Sequence, residues 1–106
     1  MIKKINGNEY EFKTTIGTIK RIEKEIKKPF MEIATGINNL TFDELQNVIA
    51  CGIDDKEERV KLKEDIDDTM GLIALMDILE EFFEAIQYSG LSKEQIAEKK
   101  SLMEKK

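Results

Sequence analysis

The chain has 106 residues and a formal net charge of −5, with 41% hydrophobic and 37% charged residues. This composition is too apolar for a disordered chain and predicts one domain with one modest core. Histidine is absent, which removes the usual general base and a common metal ligand, so we expect no enzyme and no catalytic, metal-binding or cofactor-binding residues.

Residues 2–13 are predicted to form a β-hairpin, because Asn6-Gly7 favours a tight turn with positive φ at both positions. The register has two solutions. A two-residue loop pairs Ile5 with Asn8, whereas a three-residue loop pairs Ile2 with Phe12 and Lys3 with Glu11. Both registers place two aromatic side chains on one face, Tyr10 and Phe12.

A helix is predicted over residues 16–27, and Pro29 stops it. Its outer side is basic. We interpret that side as a solvated surface, with docking to an acidic partner as the alternative. Residues 1–28 carry 8 Lys/Arg against 4 Asp/Glu, whereas residues 29–91 carry 4 against 15. These two regions can neutralise each other within the fold or across an interface.

A short helix is expected after Pro29, followed by a second helix that begins at a capping box, Thr41 to Glu44. The second helix runs to about Cys51. We interpret Cys51 as a structural thiol, since no second cysteine and no base lie nearby in the sequence. The apolar residues of the second helix are expected to face inward: Phe42, Leu45, Val48 and Ile49.

The next helix begins at Asp54-Asp55 and has few apolar residues, so we expect it on the surface. Asp65, Asp67 and Asp68 cluster near its end. Because the spacing of an EF-hand is missing, a solvated acidic helix is favoured over a metal site.

The most apolar segment is the helix predicted over residues 72–88, which Gly90 ends in a left-handed conformation. Its stripe is either ordinary core or, in part, an open groove for partner helices. The stripe recurs at helical spacing: Leu72, Leu75, Met76, Leu79, Phe82, Phe83 and Ile86.

A short helix over residues 91–106 follows, with Ser92 and Gln95 as a capping box and a frayed end. The predicted fold is therefore mainly α with a small N-terminal β-hairpin (α+β), with about five helices packed around the 72–88 helix. We expect a single domain over residues 1–106, made of the 2–13 hairpin, a helical body over 15–90 and the C-terminal helix.

The chain contains one cysteine, no run of eighteen apolar residues and no signal-like N-terminus. We therefore expect a cytoplasmic protein without a membrane segment. An acidic chain with no concentrated basic stripe is also a poor nucleic-acid binder.

Five short segments occur in an order that is typical of one family: a turn-containing hairpin at 6–10, a Thr-x-Gly helix start at 15–23, a Leu-Thr-x-x-Glu-Leu helix at 40–45, Gly52, and a Gly-Leu helix start at 71–72. This order resembles the small phage tail assembly chaperones that associate with the tape measure protein. The acidic stretch 54–68 and the lysine-rich tail depart from the family pattern.

The resemblance implies a protein that holds the helical tape measure protein soluble in the bacterial host cytoplasm, is missing from the mature virion and contacts the tail tube protein through a longer, frameshifted form. Homo-oligomers are a further expectation. The alternatives are a self-assembling structural phage component, such as a connector or tube-associated protein, and a small helical adaptor. The partner-binding groove is expected to contain nine residues: Phe30, Met31, Leu72, Leu75, Met76, Leu79, Phe82, Phe83 and Ile86.

Overall fold

The computed structural model describes the backbone of residues 1–104 and the side chains of residues 1–102. The predicted fold class is confirmed, since a two-stranded hairpin precedes a mostly helical chain. The last two residues of the predicted C-terminal segment, 105 and 106, lie outside the described part. The elements are β1 (Ile2–Ile5), β2 (Asn8–Glu11), α1 (Ile16–Ile26), α2 (Phe30–Thr35), a 3-10 turn (Ile37–Asn39), α3 (Phe42–Ala50), α4 (Lys56–Thr69), α5 (Leu72–Tyr88) and α6 (Lys93–Glu104).

The hairpin adopts the register of the two-residue loop, with Ile5 opposite Asn8. Asn6 and Gly7 have φ values of 53° and 76°, as a primed turn requires. Because side chains alternate along a strand, this register directs one set toward the helices. The buried members of that set are Ile5, Tyr10 and Phe12.

Helix α3 lies at the centre of the helical body, because it packs against α1, α4 and α5. It begins at the predicted capping box, in which Thr41 Oγ1 accepts from the Glu44 amide at 3.1 Å and Glu44 Oε1 accepts from the Thr41 amide at 3.0 Å. Phe42, expected to face inward, is exposed, whereas the rest of the predicted inner face of α3 is buried: Leu45, Val48 and Ile49.

Helix α4 is tied to the hairpin through Asp65, which is only 7% exposed. Its carboxylate accepts from Asn6 Nδ2 at 3.0 Å, from Asn8 Nδ2 at 2.9 Å and from the Tyr10 hydroxyl. The interpretation of this segment as a solvated acidic helix is wrong at Asp65, because these three donors replace water around the carboxylate. Leu62 and Ile66 are also buried on α4, so one side of this helix belongs to the core.

The contact between Tyr10 and Asp65 changes the acidity of both groups. Hydrogen bonds from Tyr10, and then from Asn6 and Asn8, hold the pKa of the Asp65 carboxyl below its usual range. Burial, followed by the hydrogen bond to Asp65, raises the pKa of the Tyr10 hydroxyl above its ordinary value. The contact thus joins an ionised carboxylate to a protonated phenol at neutral pH.

The basic start of the chain pairs with its acidic middle within the fold. Lys3 pairs with Glu81, and Asp54 pairs with Lys13 at 2.5 Å and with Arg21 at 3.1 Å. These side chains are about a third or more exposed, so solvent screens each pair and each contributes little to stability. The basic start and the acidic middle of the chain therefore neutralise each other at least in part within one molecule.

Both arginines of the chain hold the loop between α3 and α4. Arg21 Nη1 donates to the Cys51 carbonyl at 2.7 Å, and Arg59 Nε donates to the Ile53 carbonyl at 2.5 Å. Arg21 thus differs from the solvated lysines of α1, because its guanidinium satisfies carbonyls at the end of α3. The Cys51 thiol is buried, and burial raises its pKa to about 11, as expected of a structural thiol.

Candidate partner-binding groove

The nine residues predicted to line a groove divide into a buried set and an accessible set. Four side chains of α5 are buried in the core, at steps of four, three and four residues: Leu75, Leu79, Phe82 and Ile86. Phe82 contacts the ring of Phe12 edge-on, with centroids 6.1 Å apart. Their side of α5 faces α3 and the hairpin, so these four side chains belong mainly to the core. Leu75, which is 5% exposed, also borders a small cleft near the start of α5.

The residues that follow the buried ones by one position form a second stripe on α5, called the open stripe because solvent reaches it: Met76, Glu80, Phe83 and Gln87. Met76 and Phe83 are partly buried and line a cleft of about 590 Å³. Ala34 and Ile37 form its opposite wall, at the end of α2 and in the 3-10 turn. The cleft therefore runs along the side of α5 that the core does not use.

Phe30 is not among the residues that line this cleft, but it contacts Phe83, which does. Its ring contacts Phe83 edge-on, with centroids 5.6 Å apart. The start of α2 is fixed because Glu23 Oε2 accepts from the Phe30 amide at 2.8 Å, which satisfies a donor that a helix start leaves free. Glu23 of α1 thus positions the residue that holds Phe83.

The two remaining predicted residues lie away from the 590 Å³ cleft. Met31 is 69% exposed on α2, and Leu72 is 59% exposed at the start of α5. Leu72 lines a separate, smaller cleft of about 230 Å³ together with Phe42 and Met70. The structure therefore does not bring all nine predicted residues into one site.

Several lining residues were missed by the sequence reading because they are polar or come from other elements. Glu80, Glu84 and Gln87 continue the open stripe of α5, and Tyr88 and Lys100 close its far end. The available signal was the spacing of Met76, Glu80, Phe83 and Gln87, which repeats the buried stripe one residue later. Only two members of that stripe are apolar, so a search for apolar residues at helical spacing does not detect it.

The far end of the cleft combines acidic and aromatic groups around one lysine. Lys100 Nζ lies 2.5 Å from Glu84 Oε1 and 5.4 Å from the centroid of the Tyr88 ring. An ion pair beside a ring face is a favourable arrangement for an ammonium group. The lining is therefore suited to a helix that carries apolar and lysine side chains.

In the described part of the chain, no three His, Cys, Asp or Glu side chains are grouped so that they could hold a metal ion, and no helix within residues 1–104 is long and apolar enough to cross a membrane.

No protein family matches this chain, and neither a curated protein nor a solved structure matches it.

Proposed function

We propose that this chain is a tail assembly chaperone of a bacteriophage or prophage. It binds the tape measure protein in the cytoplasm of the bacterial host and keeps it soluble while tail tube subunits assemble. The chaperone has no catalytic role and leaves before the virion matures. The order of short segments along the sequence, described above, supports this proposal.

The structural observation that carries the proposal is the open stripe of α5. Met76 and Phe83 present apolar surface in a cleft bounded by a second helix and a 3-10 turn. A helix with apolar residues on one face binds in such a groove, and α5 with its 17 residues offers a length of about 25 Å at 1.5 Å per residue. The flexible Met76 side chain adapts to different apolar partners along a long helical client.

Co-expression with the tape measure protein encoded in the same genome tests the proposal. The wild-type chain should raise the soluble fraction of the tape measure protein, and Phe83→Asp should abolish that effect because it places a charge in the cleft. Ile73→Asp is the matched control, since Ile73 lies on the same helix, is 77% exposed and does not line this cleft. Circular dichroism establishes that both variants are folded.

Two results would contradict the assignment. A folded Phe83→Asp variant that keeps the tape measure protein soluble would show that the cleft is not the binding site. A wild-type chain that leaves the tape measure protein insoluble, or that is found by mass spectrometry in purified virions, would remove the chaperone function itself.

A self-assembling structural component of the phage tail is the second candidate, and a different surface favours it. Leu72 and Ile73 are exposed at the start of α5. Phe42 is exposed at the start of α3 and lines a small cleft together with Leu72. Apolar patches of this kind mark contacts between proteins. This function predicts oligomers that grow with protein concentration, which sedimentation velocity would detect, and presence of the chain in the virion.

A further inference from the structure

Helix α6 divides the accessible side of α5 into two clefts. The cleft of about 590 Å³ lies on one side of it, and a cleft of about 330 Å³ lies on the other, lined by Met1, Ala85 and Ile96 among others. The two clefts share three lining residues: Glu84, Tyr88 and Lys100. Lys100 belongs to α6, so removal of α6 would join the two clefts into one longer groove on α5.

The described side chains of α6 meet the body at its surface. The buried core contains no residue from the described side chains of α6. Ile96 is partly buried, and the Lys100–Glu84 pair is about half exposed on both sides. Exposed ion pairs and exposed cation–π contacts are weak, so α6 is held far less firmly than α1 to α5.

The helix is nevertheless well formed at its start. Gly90 turns the chain with a φ of 86°, and Ser92 and Gln95 form the predicted capping box, with the Ser92 amide donating to Gln95 at 2.9 Å and the Gln95 amide donating to Ser92 at 3.2 Å. These contacts are local, and the buried core contains no described side chain of α6, so α6 can undock and fray while the core stays folded. Undocking of α6 is thus separable from unfolding.

We propose that α6 is an intramolecular occupant of the α5 groove and that a partner helix of the same chemistry displaces it. The chemistry is visible in α6 itself: Ile96 and Lys100 lie four residues apart, so they project from one side of the helix toward Ala85, Tyr88 and Glu84. The partner is therefore a helix that presents an apolar residue and a lysine at this spacing. The inference rests on the proposed function only for the identity of the partner protein.

The short connection between α5 and α6 makes this occupant an effective competitor. A tethered segment acts at a high local concentration, in the millimolar range for short flexible linkers. The apparent affinity for any partner is then reduced by the fraction of chains whose groove is open. Docked α6 therefore limits binding to partners that compete well or are present at high local concentration.

The test uses a synthetic peptide of residues 91–106 as the probe and the full-length chain as the receptor. Ile96→Asp/Lys100→Glu dislodges α6, because it puts two acidic groups against Glu84 and the apolar wall. Ala97→Asp/Lys99→Glu is the matched control, with the same charge change at two exposed positions of α6. The peptide should bind the dislodged variant about tenfold more tightly than the wild type or the control, as measured by fluorescence anisotropy.

Two further measurements test whether the gain in peptide affinity comes from undocking of α6. Hydrogen exchange should show loss of amide protection over residues 93–102 in the dislodged variant alone, with the core unchanged. Adding Glu84→Lys to the dislodged variant should remove peptide binding, because the carboxylate that faces the peptide lysine is replaced by a cation.

Equal peptide affinity for the dislodged variant and the wild type would overturn the inference, as would a wild-type dimer in which two copies exchange α6. These failures leave the proposed function untouched, since the co-expression assay reports on the tape measure protein separately. Conversely, a chain that does not solubilise the tape measure protein but binds the peptide as expected would refute the chaperone function and keep the role of α6.

Discussion

Two adjacent phenylalanines of α5 should lose different amounts of stability when each is truncated to alanine. Phe82 is fully buried and packs against Phe12, whereas Phe83 is partly buried and lines the cleft. Phe82→Ala should lower the free energy of unfolding by about 3–5 kcal/mol, the usual cost of removing a buried ring. A domain of this size has only about 5–15 kcal/mol of stability, so this variant should be close to unfolding.

Phe83→Ala should cost less, because its ring is only partly buried. The lost burial and the lost edge-on contact with Phe30 together amount to about 1–2 kcal/mol. Its main effect should be on partner binding, since the ring forms part of the cleft wall.

Urea unfolding followed by circular dichroism measures both values, and the slope of each transition shows whether the same surface is exposed. The expected difference of about 1–4 kcal/mol corresponds, at about 4–8 °C per kcal/mol, to a difference in melting temperature of about 4 °C or more. Equal destabilisation of the two variants, or a larger effect at Phe83, would refute the division of α5 into a core stripe and an open stripe.

Three further predictions concern the hairpin, the core and the thiol. Because hydrogen bonds depress the pKa of the Asp65 carboxyl, its stabilising effect is present above the unfolded value of about 3.9 and is lost as the pH falls through the lower value of the folded state. Asp65→Asn should therefore make the melting temperature depend less steeply on pH in the acid range below about pH 4 than it does in the wild type. Gly52→Ala should destabilise the fold by about 1–3 kcal/mol, because the added methyl would lie 3.0 Å from the Phe82 ring. Urea unfolding measures this loss, and an unchanged midpoint of the urea transition would show that the ring can move aside. Alkylation of Cys51 at pH 8 should be slow in the folded chain and fast in urea, because burial raises the thiol pKa to about 11; rapid labelling of the native protein would contradict its burial.

The features predicted correctly from the sequence are those set by residues close together in the chain. The Asn6-Gly7 turn and the capping boxes at Thr41 and Ser92 depend on side chains within four positions of each other. Each appears in the structure with its expected hydrogen bonds or φ values. The two registers of the hairpin remained open at the sequence level because the choice depends on which face the helices bury.

The candidate groove was predicted only in part, for a physical reason. A hydrophobic pattern shows that α5 has apolar residues, but not which side meets α3. Leu79 and Glu80 are neighbours in sequence, yet one lies in the core and the other lines the cleft. That division follows from the positions of α2 and α3, and those positions depend on contacts between residues distant in sequence.

The link between the hairpin and α4 has a consequence for the order in which the chain folds. The three donors to Asp65 lie 55, 57 and 59 residues before it, so the ribosome must complete most of α4 before the hairpin can dock. An isolated hairpin is marginal in water, and pairing across such sequence distances is slow. The hairpin is synthesised early but fixed late, and an interrupted product that ends before Asp65 leaves Tyr10 and Phe12 uncovered, where cellular proteases can distinguish it from the finished chain.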